Sequence, residues 1–294
     1  MSAVTTDRPL RFLVSAIDPE ADWPGIAAEA ERLDYDLLAT TDHLGMPAPF
    51  PSLVAAAAAT TRLRVATYLT NTALWDPEVL AREVAGTDRI TGGRLEVGLH
   101  SGQTASARTA HLDATQKLTR LTDAVETLQR LLPDPDHRPR PLQHPRPPLL
   151  LAADDPAELE LAVHHADTVC FIGASLLPGG GLVLHSPEEI ARRVASVRER
   201  AAQLGRDPEL NIAVKRIIVT GDRRAAAEAL RESGFAAHLS VAELLELPTL
   251  LIGTHRQIAE QVRAHRERYG LTSFALLAPA MHDFAPVIPL LRKG

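Results

Sequence analysis

The chain alternates short apolar segments with longer amphipathic ones. Eight of the apolar segments are continuous rather than alternating in polarity, which is typical of parallel strands buried on both faces. These predicted strands cover residues 11–17, 36–41, 64–69, 94–99, 148–152, 168–172, 211–219 and 272–277. The pattern therefore predicts a core of parallel β-structure.

Amphipathic segments separate the predicted strands and carry the apolar spacing of helices. They cover residues 23–33, 52–60, 77–90, 116–131, 157–165, 188–204 and 256–269. In the third of them, Asp76 is a predicted N-cap, Pro77 suits the first helical position, and Gly92 stops the helix. Strands and helices thus alternate as βα units.

Eight such units in 294 residues match the size of a (β/α)8 TIM barrel, so we expect one barrel domain over residues 1–294. A doubly wound sheet is the alternative, but no Gly-x-Gly-x-x-Gly follows the first strand. Two stretches fit neither element type. Residues 133–148 are rich in proline and residues 173–185 contain a run of glycines, so both are predicted insertion loops.

Composition narrows the classes of partner. A net charge of −6 argues against nucleic acid as the main partner, since phosphate binding needs a basic surface. No apolar run approaches the roughly 18 residues that span a bilayer, and no secretory leader is recognisable, so we expect a soluble cytoplasmic protein without membrane contact. The single cysteine, Cys170, lies in an apolar run and is predicted to be a core residue.

In a TIM barrel the functional residues follow the carboxyl ends of the strands. This rule selects Asp42, His43, Thr70, Asn71, His100, Ser101, Gln103, Ala153, Asp154, Asp155, residues 173–175, Pro279 and His282. The segment around Ser101 lacks the flanking glycines of a nucleophile elbow, and the histidine spacing predicts no metal site. His43 suits proton transfer near neutral pH, although a hydrogen bond at the barrel rim is an equally good interpretation.

Several longer segments resemble the bacterial luciferase-like superfamily, and its coenzyme F420-dependent oxidoreductases in particular. The most specific is DPEVLAREVAGTDRITGGRLEVGL at residues 76–99, which is similar to the family's third helix and fourth strand. Further segments that carry the resemblance are residues 27–44, 55–71, 146–167 and 252–277. The resemblance covers most of the chain and implies a (β/α)8 barrel that holds a flavin or deazaflavin across the strand ends.

The resemblance also implies roles for individual residues. His43, beside Asp42, matches a histidine that contacts the substrate or the reactive face of the ring. Tyr68-Leu69 matches a non-prolyl cis peptide bond that supports the ring from behind. The implied coenzyme-binding residues are Asp42, Thr67, Tyr68, Leu69, Thr70, Asn71, Ser101, Gly102, Ala152, Ala153, Asp154 and Asp155.

Three positions depart from the family pattern. His100 stands where the family has small residues, which narrows the ring pocket or adds a proton carrier. Gln103 stands where some members have a proton-donating glutamate, and a glutamine hydrogen-bonds without supplying a proton. Asp154 and Asp155 either oppose a phosphate in a loop that is usually rich in glycine and serine, or cap the helix that follows.

These expectations lead to one leading hypothesis and two alternatives. The leading hypothesis is hydride transfer between coenzyme F420 and a small organic substrate, with His43 as acid or base and with His100 and Gln103 as further catalytic candidates. The alternatives are a monooxygenase that uses reduced FMN and oxygen, and a barrel that has lost its coenzyme. Residues 173–185 are expected to form a lid, and the alanine-rich helix 52–60 is expected to support a homodimer.

Overall fold

A computed structural model describes residues 8–102, 111–152, 156–176 and 181–292 of the chain. Its strands are β1 (Arg11–Ala16), β2 (Leu37–Thr40), β3 (Arg64–Asn71), β4 (Leu95–His100), β5 (Leu149–Ala152), β6 (Thr168–Phe171), β7 (Ala174–Leu176), β8 (Leu182–Leu184), β9 (Glu209–Ala213), β10 (Arg216–Val219), β11 (Leu250–Gly253) and β12 (Ser273–Leu277). Eight of them close into a parallel barrel in the order β1-β12-β9-β6-β5-β4-β3-β2. The predicted (β/α)8 fold is therefore confirmed.

Helices surround this barrel. They are α1 (Trp23–Arg32), α2 (Pro49–Ala58), α3 (Pro77–Ile90), α4 (Ala114–Leu131), α5 (Pro156–His165), α6 (Pro187–Gln203), α7 (Arg223–Glu232), α8 (Val241–Glu246), α9 (His255–Tyr269), α10 (Met281–Phe284) and α11 (Ile288–Arg292). The predicted bounds of α3 are confirmed, because Asp76 accepts from the amides of Glu78 and Val79, both at 3.0 Å. Within the described ranges, no helix has both the length and the apolar character needed to cross a membrane.

The predicted single strand at 211–219 is wrong, because the chain leaves the barrel in the middle of it. β9 ends at Ala213, and the amide of Lys215 already bonds the carbonyl of Thr249 instead of a barrel strand. The continuation, β10, pairs with β11 outside the barrel. Hydrophobicity gave no sign of this exit, since Ile217 and Ile218 also pack in part against the apolar core.

The second predicted insertion is also more regular than expected. β7 and β8 form an antiparallel hairpin within residues 173–185, rather than an irregular loop. The ring of His185 is 2.8 Å from the hydroxyl of Ser175 and ties the two strands together. The expectation that this segment acts as a lid stays a prediction, as does the homodimer through α2.

The proline-rich segment 133–148 lies against the amino end of the barrel. The carboxylate of Asp88, fully buried on α3, accepts from the amides of Leu142 and Gln143 at 2.7 and 2.9 Å. The side-chain amide of Gln143 then donates to Leu95 and accepts from Arg64 at the start of two barrel strands. The segment thereby helps to seal the lower end of the barrel.

Charged side chains fill that lower end. Glu96 accepts from Arg11 at 2.5 Å and from Arg64 at 2.6 Å, while Glu209 accepts from Arg11 at 2.9 Å. Each carboxylate thus faces at least one guanidinium, which is the condition under which buried charges become tolerable.

A polar network also crosses the middle of the barrel interior. The phenol of Tyr68 donates to Asn211 at 2.8 Å and lies 3.0 Å from the sulfur of Cys170. The amide of Asn211 donates in turn to Ser273 at 2.8 Å. Cys170 is fully buried, as predicted. These contacts join strands β3, β6, β9 and β12 beneath the carboxyl end of the barrel.

Candidate functional site

Strands β2, β3 and β4 bring most of the selected polar residues together at the carboxyl end of the barrel, here called the mouth. Asp42, which follows β2, is 8% exposed and accepts from the indole of Trp75 at 2.7 Å and from the amide of Asn71 at 3.2 Å. Burial raises the pKa of Asp42, and the two hydrogen bonds and the charge of His43 oppose that rise. Asp42 therefore ties the end of β2 to the end of β3.

His43 and His100 lie near one another at this mouth. His43 is exposed, whereas His100 is partly buried and accepts through Nδ1 from the amide of Gly102 at 3.0 Å. Burial, with smaller contributions from the charges of His43 and Lys117, lowers the pKa of His100 to about 4. His100 is therefore a neutral imidazole at pH 7, and its single proton sits on Nε2.

The Tyr68-Leu69 peptide bond is cis, which confirms the expectation drawn from the resemblance. The pairing of β3 with β4 shifts register between Thr67 and Thr70, so the chain bulges here. Gly98 stands opposite the bulge. A Cβ on Gly98 would overlap the carbonyl oxygen of Thr67 and lie 2.9 Å from Leu69 Cδ2, so a side chain at this position has no room.

Thr67 holds the same two strands together and does not reach into the mouth. Its hydroxyl donates to the carbonyl of Gly98 at 2.9 Å and accepts from the Gly98 amide at 3.0 Å. Thr67 is fully buried. Its observed contacts are thus to the strand that faces the bulge, and a contact with a bound ring stays a prediction.

Asn71 and Gly102 shape the rim beside His100. The side-chain oxygen of Asn71 accepts from the amide of Ala73 at 3.1 Å, and Thr72 donates to the carbonyl of His100 at 3.0 Å. Gly102 has a φ of +87°, and a Cβ there would overlap Asn71 Oδ1. The rim is therefore set by close backbone approach, which only glycine allows at this position.

Ser101 contacts the outer wall of the barrel. Its hydroxyl donates to the carboxylate of Glu158, which lies in the first turn of α5 and is 1% exposed. Sequence reasoning missed both Glu158 and Trp75, because each lies well away in sequence from the strand end that it contacts. Ala152, at the end of β5, is buried. The selected residues Gln103, Ala153, Asp154 and Asp155 lie outside the described residues.

Two hydroxyls in this region have no hydrogen-bond partner in the described part of the chain. They are Thr41 Oγ1, just after β2, and Thr70 Oγ1, at the end of β3, and both atoms are buried. Buried polar groups are normally paired, so unpaired hydroxyls at a strand end suit a site that a ligand completes. Across the described ranges, no group of three or more His, Cys, Asp or Glu side chains is arranged to hold a metal ion.

These features fit the ring end of a flavin-type coenzyme. The bulge facing Gly98 offers a surface without side-chain obstruction from β4, and the rim carries hydrogen-bonding groups at Asn71, His100 and Thr41. A flat heteroaromatic ring needs both an unobstructed surface and a polar rim. Proteins bind the faces of such a ring with apolar groups and its edge with a few fixed polar groups.

Comparison with known proteins identifies the class. The family model for the luciferase-like monooxygenases matches residues 12–248, and the chain belongs to this family of oxidoreductases. The family predicted from the sequence is thereby confirmed.

Two individual relatives resemble this chain at low identity and over about half of its length. The oxygenase component of a flavin-dependent trigonelline monooxygenase from Acinetobacter baylyi is 29% identical over 161 residues, which cover 48% of this chain and 45% of that protein. A phthiodiolone/phenolphthiodiolone dimycocerosates ketoreductase from a Mycobacterium species is 28% identical over 180 residues, which cover 55% of this chain and 45% of that protein. The match thus spans less than half the length of each relative.

Solved structures agree with the fold. An F420-dependent secondary alcohol dehydrogenase in complex with an F420-acetone adduct superposes with a TM-score of 0.75 at 17% identity, covering 97% of this chain and 100% of that one. At this level of identity the likeness establishes the shared barrel, and it assigns no substrate or coenzyme.

Proposed function

We propose that this protein transfers a hydride between coenzyme F420 and a small organic substrate at the mouth of the barrel. The observation that carries the proposal is the placement of an exposed His43 beside a neutral His100, next to the bulge at Tyr68-Leu69. Support comes from two neighbours, one named a ketoreductase and one named a secondary alcohol dehydrogenase, because both names describe redox chemistry at a carbon that bears oxygen.

The chain supplies distinct surfaces for such a coenzyme. Leu69 and the space over Gly98 would support a face of the ring, while Thr41, which is only partly buried, would bind its polar edge. When bound, the coenzyme supplies the carbon that accepts or returns the hydride, and the protein supplies orientation and proton transfer.

His43 and His100 have different roles in the proposed reaction. In alcohol oxidation, the substrate carbon loses a hydride while His43 takes the hydroxyl proton, and ketone reduction reverses both transfers. His100 is unsuited to carry that proton at pH 7, because its pKa is lowered to about 4. With Nδ1 occupied by the Gly102 amide, His100 instead donates a hydrogen bond from Nε2 to the substrate oxygen.

A reduced-FMN monooxygenase is the second candidate. The relative from Acinetobacter baylyi is named as flavin-dependent and as a monooxygenase, and it is 29% identical to this chain over 161 residues. The same mouth would serve both reactions, provided that a monooxygenase excludes water from its reactive intermediate.

A fluorescence titration of the purified protein with coenzyme F420 and separately with FMN distinguishes these functions. Saturable binding of coenzyme F420 alone is the expected result. Binding of FMN alone would favour the monooxygenase. Binding of neither would remove both redox functions and leave the coenzyme-free barrel.

A further inference from the structure

A cavity lies at the opposite end of the barrel from the mouth. It has a volume of about 240 Å³ and is bounded by α6, the segment that enters β9, and the end of α9. Val197, Ala201, Pro208 and Leu210 form apolar parts of its wall, and five charged residues also line it. The volume is below the roughly 300–1,000 Å³ of pockets for drug-sized ligands, so only a small molecule would fit.

Arg198 lines this cavity, where the charge of Asp207 acts on it without a direct ion pair. Within the described part of the chain its guanidinium makes no hydrogen bond and no ion pair. The group packs directly on Gly270, where a Cβ would overlap Nη2. Burial lowers the pKa of Arg198, and the charge of Asp207 offsets only part of that effect. A partly buried guanidinium without an anion carries a desolvation cost that a bound carboxylate would offset.

Thr272 provides the second unpaired group. It also lines the cavity, is 1% exposed, and its Oγ1 has no hydrogen-bond partner among the described residues. A buried hydroxyl without a partner is uncommon in folded proteins. Two residues that line the cavity therefore carry polar groups without a hydrogen-bond partner among the described residues, and one of the two is charged.

The surrounding charges favour an anion. Arg8 pairs with Asp207 at 3.2 Å, and the side chain of Asp207 is 87% exposed. Arg206 also lines the cavity, and its partners among the described residues are the backbone carbonyls of Val163 and Ala166. Glu209 is engaged by Arg11. Positive charge is therefore in excess around the cavity.

We propose that this cavity binds a small aliphatic carboxylate, with the carboxylate on Arg198 and Thr272 and the hydrocarbon tail against the apolar walls. A guanidinium fork matches the two oxygens of a carboxylate. An inorganic phosphate would leave the apolar wall residues uncovered, whereas a monocarboxylate with a hydrocarbon tail would contact both these residues and the Arg198 guanidinium. The site is separate from the mouth and does not depend on the redox function.

Calorimetry and thermal unfolding with sodium hexanoate test this proposal, with hexan-1-ol and inorganic phosphate as comparison ligands. We expect saturable hexanoate binding that raises Tm, and much weaker effects of hexan-1-ol and phosphate. Arg198→Gln is expected to weaken hexanoate binding roughly 10- to 100-fold, as loss of a charge-assisted hydrogen bond predicts. Thr272→Val is expected to weaken it several-fold.

Arg200→Gln is the matched control, because Arg200 lies on the same helix but pairs with Glu160 on the surface at 3.1 Å. It should bind hexanoate as the wild-type protein does. The proposal is overturned if Arg198→Gln binds hexanoate equally well, if hexan-1-ol or phosphate binds as tightly as hexanoate, or if His43→Ala abolishes hexanoate binding. Should Arg198→Gln fail to fold, Thr272→Val and the ligand comparison on the wild-type protein decide the outcome.

Discussion

The two ends of the barrel use their polar side chains in opposite ways. At the amino end, the carboxylates of Glu96 and Glu209 are both engaged by guanidinium groups, and Arg11 bridges them. At the mouth, His43 is exposed and the hydroxyl of Thr41 has no partner among the described residues. The same strands thus pair their carboxylates with guanidinium groups at the amino end, while at the mouth these two side chains have no such partner among the described residues.

This difference indicates where stability and function reside. Removing one partner of a buried charge network leaves the others uncompensated, so substitutions at the amino end should act on folding. The side chains of His43 and Thr41 have no hydrogen-bond partner among the described residues, so substitutions of these two should act on binding and catalysis.

The largest expected effect is at the mouth. His43→Ala should lower turnover roughly 100- to 10,000-fold because it removes the group that moves the substrate proton, while coenzyme binding persists. The rate of coenzyme F420 reduction with a panel of small secondary alcohols measures this. His164→Ala, which removes an exposed histidine near the end of α5, is the control. Wild-type turnover in His43→Ala would show that the proton-transfer role is wrong.

The amino end should respond in stability instead. Glu96→Ala leaves Arg11 and Arg64 without their shared carboxylate and should lower the free energy of unfolding by about 3 kcal/mol. Urea denaturation provides the measurement. Glu83→Ala removes only a surface pair with Arg82 and should change stability by less than about 1 kcal/mol. Equal effects of the two substitutions would contradict a structural role for the network.

The pH dependence of the unfolding free energy also distinguishes residues of the scaffold from residues of the mouth. Burial, aided by the charges of Arg268 and Arg223, lowers the pKa of His265 on α9 to about 4. As the pH falls below the ordinary value of about 6.5, the unfolded chain takes up the proton first. The contribution of neutral His265 to the free energy of unfolding is therefore complete above pH 6.5. It decreases toward pH 4, where the free energy of unfolding is lower by about 3 kcal/mol.

His265→Phe removes this titration and should flatten the dependence of unfolding free energy on pH between 6.5 and 4. His100→Asn removes a second histidine whose pKa is lowered, this one at the mouth. Of the two substitutions, only His100→Asn should also change the affinity for the coenzyme. Parallel stability curves for wild type and His265→Phe would show that His265 does not contribute to acid lability.

A pair of glycines gives smaller single effects on stability, which are opposite in sign. Gly98→Ala puts a methyl group against the Thr67 carbonyl, so the strands must shift, at a cost of roughly 1–3 kcal/mol. Gly86→Ala, inside α3 with its nearest neighbour 3.9 Å away, should instead stabilise by about 0.5–1 kcal/mol. Thermal unfolding compares them, and the contrast fails if both substitutions shift Tm in the same direction.

The sequence predicted the fold well wherever a local signal marked an element's limits. α3 has its predicted bounds, because Asp76 and Pro77 specify its start chemically. The strand predicted at 211–219 was wrong in the middle, because the choice between continuing in the barrel and pairing with β11 depends on a partner about 35 residues away, from Arg216 to Leu250. Local hydrophobicity carries no record of such long-range pairing.

The candidate site was predictable only in part, for the same reason. The rule that function follows strand ends located Asp42, His43 and His100. It did not reveal that Ser101 donates a hydrogen bond to Glu158, or that the indole of Trp75 donates one to the carboxylate of Asp42. These are contacts between side chains far apart in sequence, and they appear only once the barrel has closed.

The affinity for coenzyme F420 across a pair of variants, one from each end of the barrel, tests the central claim most directly. Gly98→Ala changes the mouth, and Glu96→Gln changes the amino end while keeping the shape of the side chain. Fluorescence titration should give a Kd at least about tenfold higher for Gly98→Ala. The folded Glu96→Gln protein should stay within about threefold of wild type, because distant sites contribute independently. A weaker affinity in Glu96→Gln than in Gly98→Ala, or no change in either, would contradict binding at the mouth.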